Sequence, residues 1–379
     1  MKVIHILNEL KFSGAEIMYV DAAKSFQEKG CELYVLATSD KEGEYAPYFA
    51  KAGYKVLHKR YPALANYIGR IFYYRWFIKL LKQEQIDVVH IHANRTMWGM
   101  ALCAWLANTP SVYTFHSVFT PRFYSYIYRY CLRWSAKHIF KCRFQTISDS
   151  VYDNELKKWY NPTTKIYNWY GCNRFFPANE FEKQKFRQEL KISPETLVLI
   201  SVGGCSHVKR HTDIIKAMPE IMKQIPNCLY LHLGKGTDEA AEMDLAKELD
   251  IENNIRFCGN QTDVRKYLIA SDIYLMPSKY EGIPITAIEV MACKVPVILY
   301  NVPGLRDFNK EKECAVLIEE DYRKLAESVI LLHKNPNKQK ELTTNGKKFV
   351  DTHFDVAKNS ARIFELYFFR NSKMPQPQE

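Results

Sequence analysis

The chain has 379 residues, too many for one ordinary core and suited to two domains of about 150–200 residues each. Its 47% hydrophobic and 25% charged residues exclude a disordered or collagen-like chain. The net charge of +11 is confined to one half: residues 1–178 hold 24 Lys/Arg against 13 Asp/Glu, while the remainder holds 29 of each. That half is expected to meet something anionic.

In chain order, KVIHIL (2–7) predicts a buried strand, followed by the loop NELKFSGAE (8–16) and a helix that stops at Gly30. ELYVLAT (32–38), YKVLH (54–58), DVVHIHA (87–93), SVYTFHS (111–117) and FQTIS (144–148) predict further strands, with a helix through RIFYYRWFIKLLKQE (70–84). Near residue 175 the pattern breaks, and NRFFPANE reads as a linker. The series restarts with LVLISVG (197–203), CLYLHLG (228–234), NIRFCG (254–259), DIYLMPS (272–278), VPVILYN (295–301) and CAVLIEE (314–320). Helices near 321–334, 336–350 and 356–369 close the chain before the polar tail MPQPQE. Alternation of this kind predicts parallel βαβ units, hence two doubly wound α/β domains at 1–175 and 176–353, with 354–379 as a terminal helix and tail returning to the first. Ligands in such sheets sit at the carboxyl ends of strands, so the loops there are where chemistry belongs.

The ten cysteines include no C-x-x-C pair and no histidine at zinc-finger spacing, which favours scattered reduced thiols. The longest apolar run, WGMALCAWLA (98–107), is about half of what a bilayer requires, and the opening apolar stretch is too short for a secretory leader. A cytoplasmic protein is expected.

Four loops carry candidate chemistry. In KYEGIPITAIEVMA, Glu281 precedes a helix whose first residue is expected to be Pro284, and Glu289 lies more than a turn inside it. Eight residues at helical rise cover about 12 Å, comparable with the span from a sugar across a diphosphate to a ribose. The N–H groups around Gly282, Ile283 and the residues after Pro284 suit phosphate, and the carboxylates suit sugar hydroxyls. Two solvated glutamates around a helix start are the alternative. In SVGGCSHVKRH, a glycine pair follows a strand, and Lys209 with Arg210 can neutralise phosphate or be plain surface. In FSGAE, Gly14 opens a helix; in YTFHS, His116 ends a strand.

Together these segments resemble glycosyltransferase family 4, retaining enzymes of the GT-B fold with two Rossmann-like domains facing across a cleft. EGIPITAIE matches the family's E-x7-E signature, VGGCSHVKRH its phosphate loop, SGAE its first-strand loop and YTFHS its strand-end histidine. KIYNWYGCNRFFP is similar to the segment that closes the family's N-terminal domain. The resemblance implies that Glu281 contacts the donor sugar, Glu289 the ribose, Lys209 the diphosphate and His116 the sugar, while Gly14 admits the phosphates. Gly204 stands where the family has an Arg, leaving Lys209 as the main leaving-group cation with Arg210 or His207 as substitutes. No D-x-D occurs, so transfer without a metal or other cofactor is expected. The implied donor is a nucleotide-sugar, most often a UDP-sugar, and the acceptor a glycan or lipid-diphosphate-linked glycan of surface polysaccharide.

Residues 66–82 and 121–141 interleave aromatics with Lys/Arg and contain no acid. They read either as a surface lying on an anionic membrane or as core-packing helices with basic outer faces. A sugar-nucleotide epimerase or hydrolase of the same fold is the rival enzyme. A nucleic-acid binder is the rival from another class, though no nucleic-acid module is visible.

Overall fold

The computed structural model describes residues 1–119 and 123–368, which form two compact units. The first comprises Met1–Ile147, Val151–Tyr167 and the described residues from Val356 onward; the second comprises Ser148–Ser150 and Asn168–Asp355. Thr120–Arg122, which include the start of the predicted 121–141 segment, and the polar tail lie outside the described residues.

The first unit is built on β1 (Lys2–Leu7), β2 (Glu32–Ala37), β3 (Lys55–His58), β4 (Val88–Ile91), β5 (Ser111–Phe115), β6 (Arg143–Thr146) and β7 (Thr164–Lys165). They pair in parallel in the order β3-β2-β1-β4-β5-β6-β7. The second is built on β8 (Leu197–Val202), β9 (Cys228–Leu233), β10 (Ile255–Gly259), β11 (Ile273–Met276), β12 (Val297–Tyr300) and β13 (Val316–Ile318). Their order is β10-β9-β8-β11-β12-β13, again parallel. Helices cover such sheets on both faces, which is why the predicted strands are continuous apolar runs; all six residues of β9 are buried. In each sheet the order reverses once, between β1 and β4 and between β8 and β11, and there the strand ends open a crevice for ligands. Two doubly wound α/β units are therefore present, as the sequence predicts.

Several helix starts carry a side-chain cap. Asn66 Oδ1 accepts from Gly69 N–H at 2.8 Å, Asn179 Oδ1 from Glu182 N–H at 2.9 Å, and Asn335 Oδ1 from Lys338 N–H at 3.0 Å, with Pro336 at the first helical position. The three predicted closing helices are Tyr322–His333, Pro336–His353 and Val356–Phe368. The last belongs to the first unit: Ser360 Oγ lies 2.7 Å from Ser25 Oγ, and Tyr367 OH lies 2.8 Å from His90 Nδ1.

The boundary at 175 needs correction, because the chain passes between units at Tyr167–Asn168. Trp169 and Tyr170 are buried, Tyr170 OH donates to Asp351 at 2.9 Å, and Tyr170 N–H donates to Phe354 O at 3.3 Å. This packing draws the segment into the second unit. The supposed linker also runs directly into a helix, Glu180–Glu189, tied down by Arg187, whose Nε donates to Ala270 O at 3.0 Å. No helix among the described residues is long and apolar enough to cross a membrane, and all ten cysteines are free.

Candidate active site

Where the strand order of the second unit reverses, the loops leaving β8 and β11 meet. Lys279 N–H donates to Val208 O at 2.9 Å, and beside this tie Lys209 Nζ donates to Glu281 Oε1 at 2.7 Å. Their side chains are 25% and 15% exposed, so the ion pair is partly withdrawn from water and its field is less screened than on an open surface. The N–H groups of Lys209 and Arg210 donate to Ser206 O at 2.9 and 3.3 Å. That turn, with Arg210 at φ +53°, feeds the helix His211–Gln224, whose first N–H groups carry partial positive charge.

Glu281 is held from three sides. Its N–H donates to Pro303 O at 3.1 Å, and Ser148 Oγ donates to Gly282 O at 2.7 Å. Gly304 supplies the third: at φ +85°, a Cβ there would lie 2.3 Å from Glu281 O, so only glycine lets the loop after β12 press against the Glu281 turn. Ile283 is buried. Pro284 corrects the prediction: it is the N-cap, with extended φ −76° and ψ 124°, and the helix runs Ile285–Ala292. Glu289 is its fifth residue and is buried.

Gly204 packs closely, since a Cβ there would stand 3.0 Å from Lys235 O. Both predicted substitutes for the missing Arg already have side-chain partners. Arg210 donates to Glu320 at 2.6 Å and pairs with Asp213 at 3.1 Å, and His207 Nε2 meets Lys279 Nζ. Lys279, two residues before Glu281, and Gly304, in VPGL, also stand at this site, where no motif in the sequence marks them.

In the first unit, Gly14 opens the helix Gly14–Glu28 behind Ser13. Ser13 Oγ donates to the buried Glu16, whose carboxyl is raised by burial. His116 stands just beyond β5 in a row of imidazoles that the sequence read only as strand: His116 Nε2 to His92 Nδ1 is 3.0 Å, and His92 Nε2 to His5 Nδ1 is 3.1 Å. Burial lowers His116 to about 4 and His5 to about 3, so the row is neutral at pH 7. If protons run His5→His92→His116, the unpaired His5 Nε2 is an acceptor, the opposite direction leaving a buried donor unpaired. The Nδ1–H of His116 then remains as a donor.

An unfolded imidazole titrates near 6.5, so between about 6.5 and 4 the unfolded chain binds more protons than the folded one. Stability is expected to be undiminished above pH 6.5 and to fall as pH drops toward 4, at roughly 2–4 °C of Tm per kcal/mol. Calorimetry from pH 7.5 to 4.5 checks this, and His116→Gln should flatten the slope. An unchanged slope in that variant would remove His116 from the titrating set.

The basic helices divide unequally. On Tyr67–Gln83, at about 100° per residue, Ile68, Ile71, Phe72, Arg75 and Lys79 share one exposed face, with Tyr73, Phe77 and Leu81 buried opposite. On Phe123–His138, Ile127, Tyr130 and Trp134 are exposed. Arg133 is not part of that outer face. Its Nε and Nη2 donate to Glu155 at 3.0 Å each, and it is buried over the Trp159 ring.

Compared with known proteins, residues 12–203 match the family model for Glycosyltransferase Family 4 and residues 182–349 the one for Glycosyl transferases group 1. N-acetyl-alpha-D-glucosaminyl L-malate synthase of Bacillus anthracis is 26% identical over 216 residues, 57% of this chain and 56% of that protein. UDP-Gal:alpha-D-GlcNAc-diphosphoundecaprenol alpha-1,3-galactosyltransferase of Escherichia coli is 25% identical over 251 residues, 64% of each. The chain thus spans about half to two-thirds of the length of these curated relatives. Among solved structures, Anabaena HepE in complex with UDP-glucose superposes with a TM-score of 0.82 at 18% identity, covering 97% of this chain and 99% of that one. The shared architecture is that of GT-B glycosyltransferases.

Proposed function

The chain belongs to glycosyltransferase family 4, and we propose that it is a retaining hexosyltransferase using a UDP-sugar donor. The acceptor is a glycan or lipid-diphosphate-linked glycan in surface-polysaccharide synthesis. One observation carries the reading: the Lys209–Glu281 pair at 2.7 Å, on the two loops that flank the strand-order reversal and beside two helix N-termini. The UDP-glucose bound by HepE and the UDP-Gal and diphosphoundecaprenol in the name of the E. coli relative support donor and acceptor class.

As the anomeric C–O bond breaks, negative charge grows on the nucleotide diphosphate, where Lys209 and the N–H groups opening the helix His211–Gln224 stabilise it. Positive charge grows on the anomeric carbon, where Glu281 stabilises it. The acceptor oxygen attacks on the face the nucleotide leaves, and its proton passes to the departing phosphate oxygen. Glu289 accepts hydrogen bonds from the ribose, and Gly282, Ile283 and Pro284 give the diphosphate its backbone surroundings. By the family resemblance, His116 faces the sugar and Gly14 lets its loop approach the phosphates. Lys209 and backbone amides take the place of a bridging metal, so added Mg²⁺ or Mn²⁺ is expected to leave the rate unchanged.

A thermal-shift screen of nucleotide-sugars tests the donor site, since a ligand at 100 times its Kd adds about 2.7 kcal/mol of stability. A UDP-sugar should raise Tm in the parent and less in Lys209→Ala. Stabilisation by none of the UDP- or GDP-sugars would remove the donor assignment.

A peripheral membrane location is the second part of the proposal. The exposed face bearing Ile68, Phe72, Arg75 and Lys79 joins apolar side chains to cations, the composition of helices that lie in a lipid interface. Each cation near an anionic surface contributes about 1 kcal/mol, so Arg75→Gln and Lys79→Gln should each weaken binding to phosphatidylglycerol vesicles about fivefold. Added salt should weaken it further. Equal, negligible sedimentation with anionic and neutral vesicles would end the membrane claim.

A further inference from the structure

Four buried side chains of the second unit converge although no motif gathers them. Cys205 stands in the loop after β8, His211 opens the helix His211–Gln224, His232 lies in β9, and Glu242 lies in the first turn of the helix Glu239–Glu248. None is more than 3% exposed, and one ligand atom from each lies within 4.8 Å of all the others. His211 Nδ1 is 2.9 Å from His232 Nε2 and 3.3 Å from Glu242 Oε1. His232 Nε2 is 3.7 Å from Cys205 Sγ and 3.6 Å from Glu242 Oε2, an oxygen with no hydrogen-bond partner.

A tetrahedral ion about 2.0–2.3 Å from nitrogen, oxygen and sulfur spaces its ligand atoms by roughly 3.3–3.8 Å. The separations of 3.3, 3.6 and 3.7 Å fall in that range, and the 2.9 Å between the two imidazoles would open by a few tenths. Glu242 faces His211 with Oε1 and His232 with Oε2, so one of the two oxygens would turn to the ion. Charge agrees with distance. A divalent cation with one thiolate and one carboxylate makes a neutral centre, which suits a fully buried place. Thiolate and imidazole ligands select zinc over magnesium or calcium.

We propose that Cys205, His211, His232 and Glu242 form a tetrahedral zinc site. The site is structural: it has four protein ligands and no open position, unlike a catalytic zinc. Cys205 and His211 bracket Lys209 in sequence, so the ion pins the loop that presents Lys209 to the core and to the helix Glu239–Glu248. This role is separate from the bridging metal that the missing D-x-D motif argues against.

The test is elemental analysis of the untagged full-length chain, expressed in zinc-supplemented medium and stripped of loose metal on a chelating resin. About one zinc per chain is expected. Replacement with Co²⁺ should give a thiolate-to-cobalt charge-transfer band and the intense visible bands of tetrahedral geometry. Cys205→Ser should abolish the charge-transfer band, and Glu242→Gln should lower retained zinc at least tenfold under the same chelator challenge. Should these variants fail to fold, the parent's zinc content and cobalt spectrum decide alone. A folded parent holding less than about a tenth of an equivalent overturns the site. So does a cobalt spectrum without thiolate character, which would place the metal elsewhere, for instance among His5, His90 and His92.

Discussion

Glu281→Gln is expected to reduce sugar transfer about a hundredfold while leaving Tm within about 2 °C of the parent. The substitution keeps the shape and a hydrogen-bonding oxygen 2.7 Å from Lys209 Nζ, and removes only the charge proposed to meet the developing oxocarbenium. Lys209→Ala should cost a similar factor by the opposite route, since it removes the cation proposed to face the leaving diphosphate. Because the two side chains are each other's partner, their effects should not multiply. The double variant is expected to lose less than ten-thousandfold, the product of the single losses. Steady-state kinetics of both single variants and the double variant, beside melting curves, makes the comparison. Near-parental rates in either folded single variant would remove that residue from the chemistry.

Arg133→Gln should instead act on stability. Two donors from Arg133 reach Glu155 at 3.0 Å each, Asn161 Nδ2 donates to the same carboxylate at 2.8 Å, and the guanidinium stacks 3.8 Å from the Trp159 ring centre. Removing one partner of a buried pair leaves an uncompensated charge and costs about 3–5 kcal/mol. For a protein of this size that is a fall in Tm of roughly 10 °C. Arg75→Gln, on an exposed position, should cost less than about 0.5 kcal/mol. Replacing Arg133 and Glu155 together by apolar residues should recover much of the loss. A Tm within 1 °C of the parent in Arg133→Gln would mean that the pair contributes nothing. The contrast also decides which cations can test membrane binding: Arg75 and Lys79 qualify, and Arg133 does not.

This division shows where sequence reading stops. An arginine amid aromatics on a helix looks the same whether it faces lipid or a glutamate 22 positions along the chain. The strands were legible because sheets covered on both faces need unbroken apolar runs, as KVIHIL and CLYLHL show. The loops carrying Lys209 and Glu281 were legible because glycine, proline and charge follow strands there. The boundary at Tyr167 was not, since it depends on where Trp169 and Tyr170 find packing partners. His5 and His92 read as ordinary strand residues, because only parallel register sets β1 beside β4. Cys205, His211, His232 and Glu242 escaped for the same reason: helices and strands separate them, and the fold alone brings them together.

The most direct test of the central claim is the anomeric configuration of the product. Purified protein is incubated with the α-configured UDP-sugar that stabilises it most and with a lipid-diphosphate-linked acceptor, and the new glycosidic linkage is read by NMR. An α-linked product, formed at the same rate with or without added Mg²⁺ and lost in Glu281→Gln, is the expected result. A β-linked product, or release of free sugar or an epimerised nucleotide-sugar with no acceptor modified, would contradict retaining transfer.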